Sequence, residues 1–178
     1  MRLCLLVLLS GVLLGCQPKP QVRVYHHVPV ETQTLPMAQA EAPSAGHWTV
    51  PKGWQEKPSD GMRQGSFEAK NGPKPVDVSV VFLGGDAGGK LANVNRWLGQ
   101  LNLAPISEAE LSKRLQPQTL GGIPMDLIDL KSSDKRILAA MIQTSQGMWF
   151  VKLTGDVASI EQEKPYLMQF LGSMHVDH

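Results

Sequence analysis

The stretch 84–91, GGDAGGKL, offers the most explicit chemistry in this sequence. A glycine, four residues, Gly89 and Lys90 follow an alternating apolar run and open a helical pattern, which is the layout of a phosphate-cradling Walker A loop. The match fails one residue later. Such a loop needs a Ser or Thr after the lysine to hold Mg²⁺, and Leu91, at a core-facing helical position, stands there instead. Asp86 also brings negative charge into the supposed cradle. Nucleotide binding is set aside for a structural reading, in which glycines permit a sharp strand-to-helix turn and Asp86 or a nearby amide caps the helix. A smaller anion at that helix terminus stays open.

The helix that follows carries the second polar feature. Asn93, Asn95, Arg96 and Trp97 sit beside an apolar stripe and, with Asp86, form the candidate ligand or partner surface. The competing reading has Asn93 and Arg96 hydrogen-bonded to neighbouring loops and Trp97 covering a core edge, and it is the simpler one. Trp48, Trp54 and Trp149 are not spaced as a base-stacking platform. The eight methionines are scattered, which does not suit a thioether copper site. Asp126 and Asp129 are three apart on an expected strand, so they face opposite ways and cannot act as an acid/base dyad. His47, His175 and His178 fit no Ser-His-Asp set, and His175 with His178 would chelate only on a well-formed last turn. The adjacent His26 and His27 lack further ligands. The sequence therefore predicts no catalytic residue, no metal and no cofactor.

Residues 1–16, MRLCLLVLLSGVLLGC, speak to compartment. Arg2 gives a positive start, the apolar run from Leu3 to Leu14 is too short to span a bilayer as a mature helix, and Gly15 precedes Cys16. Leu13, Leu14, Gly15 and Cys16 resemble a bacterial lipobox. The resemblance implies cleavage before Cys16 and thioether diacylglycerol on it, usually with a third acyl chain. One acyl chain binds a membrane marginally, whereas two or three hold firmly, at about 0.8 kcal/mol per buried methylene. Cys4 leaves with the leader and Cys16 carries lipid, so no thiol remains for a disulfide, a thiolate-metal site or a cysteine nucleophile. Of 17 basic side chains Arg2 is also lost, which balances the rest against 16 acidic ones. That balance gives no electrostatic case for nucleic acid or an anionic membrane surface. Gln17 follows the lipid cysteine, and in diderm bacteria a residue other than aspartate there goes with sorting to the periplasmic face of the outer membrane.

Three segments follow from composition: a signal peptide over 1–15, a lipidated cysteine and disordered tether over 16–46, and one α+β domain over 47–178. Pro18, Pro20, Pro29, Pro36 and Pro43 break any regular element in the tether, which would hold the domain on the order of 30 Å from the acyl chains. Within the domain, strands are expected over 48–50, 62–70 and 76–83, with an Asn71-Gly72 hairpin turn between the last two. Val76, Val78, Val80 and Phe82 share one face, and that face should meet a helix. Leu91, Val94, Leu98 and Leu101 mark the first helix, which should pack back on the sheet. A second helix starts at Ser107, where Ser107 and Glu110 form a capping box and Ile106 and Leu111 a hydrophobic staple. Strands over 125–130, 136–144 and 148–154 come next, the last two as a hairpin. The run 137–142, apolar on both faces, suits a central strand. Ile160, Leu167, Phe170, Leu171 and Met174 trace a closing helix that Pro165 should kink or effectively begin. The order argues for an α+β sandwich with a largely antiparallel sheet of about six strands and three helices.

The runs GGDAGG and ANVNRW over 84–97, with WFVKLTG over 149–155, resemble an uncharacterised family of bacterial envelope lipoproteins, across most of 47–175. That family is similar in element order to the PsbP-like fold, which informs shape and not activity. The resulting expectation is a non-enzymatic, lipid-anchored, extracytoplasmic module that binds an envelope protein partner or stabilises an envelope assembly, with no nucleic acid involved. The alternative is a small-molecule or ion-binding lipoprotein that uses the glycine loop and the first helix.

Overall fold

Two long crossings by the chain decide where the helices lie. The computed structural model describes residues 46–176 apart from Asp60. The leader, Cys16, the tether with His26 and His27, and His178 lie outside the described residues. The elements are β1 (Trp54–Glu56), β2 (Arg63–Ala69), β3 (Val76–Gly84), α1 (Gly89–Gln100), α2 (Glu108–Arg114), β4 (Gln116–Leu120), β5 (Ile123–Lys131), β6 (Lys135–Gln143), β7 (Gly147–Asp156) and α3 (Val157–Gly172). They build one sheet in the order β1-β2-β3-β7-β6-β5-β4, antiparallel at every pairing. The fold is α+β, as expected, with seven strands in place of six.

After β3 the chain must reach β4 at the far edge, four strands away, or roughly 19 Å at the usual strand spacing. α1 and α2 make that crossing over one face. Val94, Trp97, Leu98, Leu101 and Leu111 pack there on Ile128, Leu130, Ile137, Ala139, Met141, Met148 and Phe150. After β7 the chain returns over the other face as α3, where Ile160, Leu167, Phe170 and Leu171 meet Phe67, Val78, Val80, Leu138, Ala140, Trp149 and Val151. Strand β6 is accordingly buried without interruption from Arg136 to Ile142, because helices cover both its faces.

This arrangement corrects one assignment. The face of Val76, Val78, Val80 and Phe82 meets α3, whereas α1 packs on the opposite side of the sheet. A period of two identifies which residues share a face, but it does not say which helix covers them. The expected strand over 48–50 is also displaced. His47 and His175 exchange backbone hydrogen bonds of 3.0 and 2.8 Å, and the Thr49 amide donates to Ser173 Oγ, so this segment docks beside the end of α3. The first true strand begins at Trp54, after the Pro51 turn.

β4 is the element that composition hid. QPQTL is almost wholly exposed and includes Pro117, which an edge strand tolerates because one side of its ladder is unused. Gly121 and Gly122 then turn the chain with φ of 58° and 82°, and a two-residue hairpin with positive φ at both positions is of type I′. A Cβ at Gly121 would stand 2.5 Å from the Gly172 carbonyl oxygen, so the residue is small for contact as well as for conformation.

The helix starts follow local chemistry. At α2, Ser107 Oγ accepts from the Glu110 amide while Glu110 accepts from the Ser107 amide, and Ile106 packs with buried Leu111 in the core beneath. α3 begins well before Pro165, because Asp156 accepts from the Ala158 and Ser159 amides and fixes the first turn. The helix then runs through Pro165 to Gly172. No described helix is long and apolar enough to cross a membrane.

Candidate functional site

The glycine loop spends its polar groups on itself. Asp86 Oδ1 accepts from the Gly88 amide at 3.1 Å and the Asp86 carbonyl from the Gly89 amide at 2.7 Å. Positive φ at Gly85, Ala87, Gly88 and Gly89 curls the segment, and the α1 N-cap is Gly88, with no side-chain cap. Lys90, the residue that would reach a phosphate, instead pairs with Asp126 on β5. The ammonium that would reach a phosphate is thus already held by a carboxylate.

Asn93, Arg96 and Trp97 lie together on the α1 side that faces β3 and β7. Asn93 is buried and its Nδ2 donates to the carbonyls of Ala87 and Gly89, both at 2.8 Å, which locks the loop to the helix. Its Oδ1 accepts from Arg96 Nη1 at 2.8 Å. Trp97 is buried and meets Phe150 edge to face, with ring centroids 5.8 Å apart. Asn95 points elsewhere: it donates to the Ile106 carbonyl and accepts from the Ile106 amide, pinning the connection to α2. Asp86 lies apart from this group, against Gly88, Lys90 and Leu91.

Beside Asn93, Arg96 and Trp97 the sheet is not covered, and a groove of about 570 Å³ opens there. Its floor is set by strand register. Leu83, Val81 and Ser79 of β3 line it, Val81 pairing with Phe150 and Ser79 with Lys152 of β7, so the floor grades from apolar to polar along its length. α1 forms one wall, with Arg96 and Gln100, and Met62 and Arg63 of the β2 end form the other. Met62 is 71% exposed, an unusual position for a large apolar side chain.

Three cations line the groove. Arg63 is bound to Asp77 through both carboxylate oxygens, at 3.2 and 3.1 Å, and to Ser66 Oγ at 3.0 Å. Arg96 and Lys152 instead donate to neutral amide oxygens, of Asn93 and of Gln100, the latter at 3.2 Å. The Lys152 ammonium titrates below the ordinary lysine value. Burial is the main cause, Asp77 opposes it, and the charges of Arg63 and Arg96 add to it.

The remaining charged clusters tie elements together. Arg136 is buried, donates to both carboxylate oxygens of Asp129 and to Glu161, and so joins β5 and β6 to α3. Those bonds, Asp129 first, hold the guanidinium above its ordinary value. Asp126 and Asp129 do lie on opposite faces, one paired with α1 and the other turned toward α3. Among the described residues no three His, Cys, Asp or Glu side chains come close enough to hold a metal ion.

The groove residues Arg63, Ser79, Gln100 and Lys152 were missed from sequence. One signal was available, since Lys152 interrupts the otherwise apolar run WFVKL at 149–153.

No protein-family profile matches the chain. No curated protein matches it either. Solved structures that resemble it include a protein of Bacteroides thetaiotaomicron VPI-5482, 12% identical with a TM-score of 0.47, over 77% of this chain and 47% of that one. This chain thus spans about half the length of that protein. LpqN of Mycobacterium tuberculosis, described as involved in cell envelope biogenesis, is 17% identical with a TM-score of 0.41, over 76% of this chain and 86% of its own. The cyanobacterial PsbP protein, CyanoP, of Synechocystis sp. PCC 6803 is 12% identical with a TM-score of 0.44, over 80% of this chain and 99% of its own.

Proposed function

We propose that this protein is a non-enzymatic binding module of the bacterial cell envelope, anchored through lipid on Cys16 and working through the groove beside α1. The observation that carries the binding role is the groove itself. Apolar and cationic side chains converge on a floor of two hydrogen-bonded inner strands and the wall of a packed helix. Rigid elements of this kind hold a site in shape, which a binding function needs. Its polar groups are held as donors in fixed hydrogen bonds, Arg96 on Asn93 and Lys152 on Gln100, an arrangement suited to recognition more than to proton transfer. Anchoring rests on the lipobox-like end of the leader, and the balanced charge of the mature chain leaves lipid as the attachment.

The test has two arms. Cys16→Ser should move the protein from the membrane fraction to the soluble one and abolish incorporation of an acyl probe; retention of label would remove the anchor. Arg96→Glu with Lys152→Glu should erase the crosslinked partners or ligands that the wild-type protein yields in membranes, at unchanged abundance. An unaltered crosslink pattern would place the working surface elsewhere.

A further inference from the structure

We infer that the groove beside α1 binds a single-tailed anionic amphiphile, a fatty acyl chain ending in a carboxylate, with the tail along Val81, Leu83 and Phe150 and the head between Arg96 and Lys152. The inference rests on the reading of the groove as the working site and names what it takes.

The floor of the groove selects the shape of the ligand. β3 and β7 are inner strands: β3 is bonded to β2 and β7, and β7 to β3 and β6. Their backbone donors and acceptors are used in the sheet, so an extended peptide finds no free ladder to join. Only side chains face the groove, and they grade in one direction. Leu83 and Val81 with Phe150 give way to Ser79 and Lys152 within the same register. A ligand that matches this floor is apolar for most of its length and polar at one end.

Charge fixes the sign of that end. Asp77 already neutralises Arg63, whereas Arg96 and Lys152 hold only the amide oxygens of Asn93 and Gln100. Each amide satisfies a donor without cancelling its charge. A carboxylate placed between the two cations would gain charge-assisted hydrogen bonds, roughly twice as strong as neutral ones. It would also offset the burial that chiefly depresses the Lys152 ammonium, which Asp77 opposes only in part and to which the charges of Arg63 and Arg96 add. Trp97 and exposed Met62 border the groove, and a flexible thioether adapts to tails of different length. A volume of about 570 Å³ lies within the usual range for small-molecule sites.

The experiment uses the mature chain from residue 16 carrying Cys16→Ser, purified without detergent and titrated calorimetrically with dodecanoate below its micelle concentration. Saturable one-to-one binding is expected, at least tenfold tighter than dodecanol and undetectable for acetate. Arg96→Gln with Lys152→Gln should weaken dodecanoate at least tenfold and leave dodecanol unchanged, with the unfolding midpoint confirming an intact fold. Equal affinity for dodecanol, or a double variant that binds dodecanoate as tightly as the parent, overturns the inference. If dodecanoate does not bind while Arg96→Glu with Lys152→Glu still erases a protein crosslink in membranes, the occupant is a protein; the inference then falls and the binding-module reading survives. If neither readout responds, both fall.

Discussion

The two faces of the sheet are covered unequally. On the α3 side, sixteen helical residues lie over the strands, and Trp54, Phe67 and Phe170 interlock with centroids 5.2 to 6.0 Å apart. The α1 side receives a twelve-residue helix and a seven-residue one, which pack over β5, β6 and β7 and leave the outward residues of β3 beside an open groove. One face is spent on stability, and the other keeps apolar surface and charge available. The comparison predicts that substitutions on the closed face change stability most and binding least, with the reverse at the groove.

Phe170→Ala should have the largest effect. The ring is fully buried and contacts Trp48, Trp54 and Phe67, so its loss should cost about 3–5 kcal/mol in denaturant unfolding, as Phe to Ala does in other cores. A cost under 1 kcal/mol would mean that the closed face is not the main source of stability.

Glu163→Gln probes the polar seam of the same face. Glu163 is fully buried and accepts from the Asn71 amide at 2.7 Å, Trp54 Nε1 at 2.9 Å and Asn71 Nδ2 at 3.1 Å, tying α3 to β1 and to the β2–β3 turn. A glutamine has one oxygen for two positions that need an acceptor, so one donor is left opposing an NH₂ group. The expected cost is about 1–3 kcal/mol in the same assay. Full retention of stability would show that the seam is dispensable.

Ser107→Ala acts on the open face and should cost about 1 kcal/mol, because it removes half of the α2 capping box. Amide exchange should rise in α2 and not in α3. Equal loosening of both helices would contradict the separation of the faces.

The α2 start was legible because capping and staple chemistry is local, and β3, β6 and α1 were legible because periodicity is local too, whereas the Asp156 cap of α3 was overlooked in favour of Pro165. What escaped was set by distance along the chain. QPQTL carries no apolar alternation, and it becomes a strand only because β5 offers its edge. Asn93, Arg96 and Trp97 could be grouped from helical spacing. Their counterparts Ser79 and Lys152 are 73 positions apart and become neighbours only through the β3–β7 register. No spacing within either strand encodes that pairing, so half of the groove was invisible until the sheet order was known.

The smallest expected effect, at Lys152, has the opposite sign. The Lys152 ammonium is held below the ordinary value of 10.5, chiefly by burial. A lysine whose folded value is lowered is penalised while charged, so it subtracts from stability at neutral pH. The penalty fades as pH rises from its folded value toward 10.5, where the unfolded chain also loses the proton. Lys152→Met keeps the chain length and removes the charge. It should therefore be neutral to slightly stabilising at pH 7, by up to about 0.5 kcal/mol, and the gap should close as pH approaches 10. Denaturant midpoints of both proteins between pH 7 and pH 10 measure this directly. A methionine variant clearly less stable than the parent would make Lys152 a structural prop held by Gln100. The predicted gain would mean that the open face retains a cation the fold would be better without, as a binding site requires and a core does not.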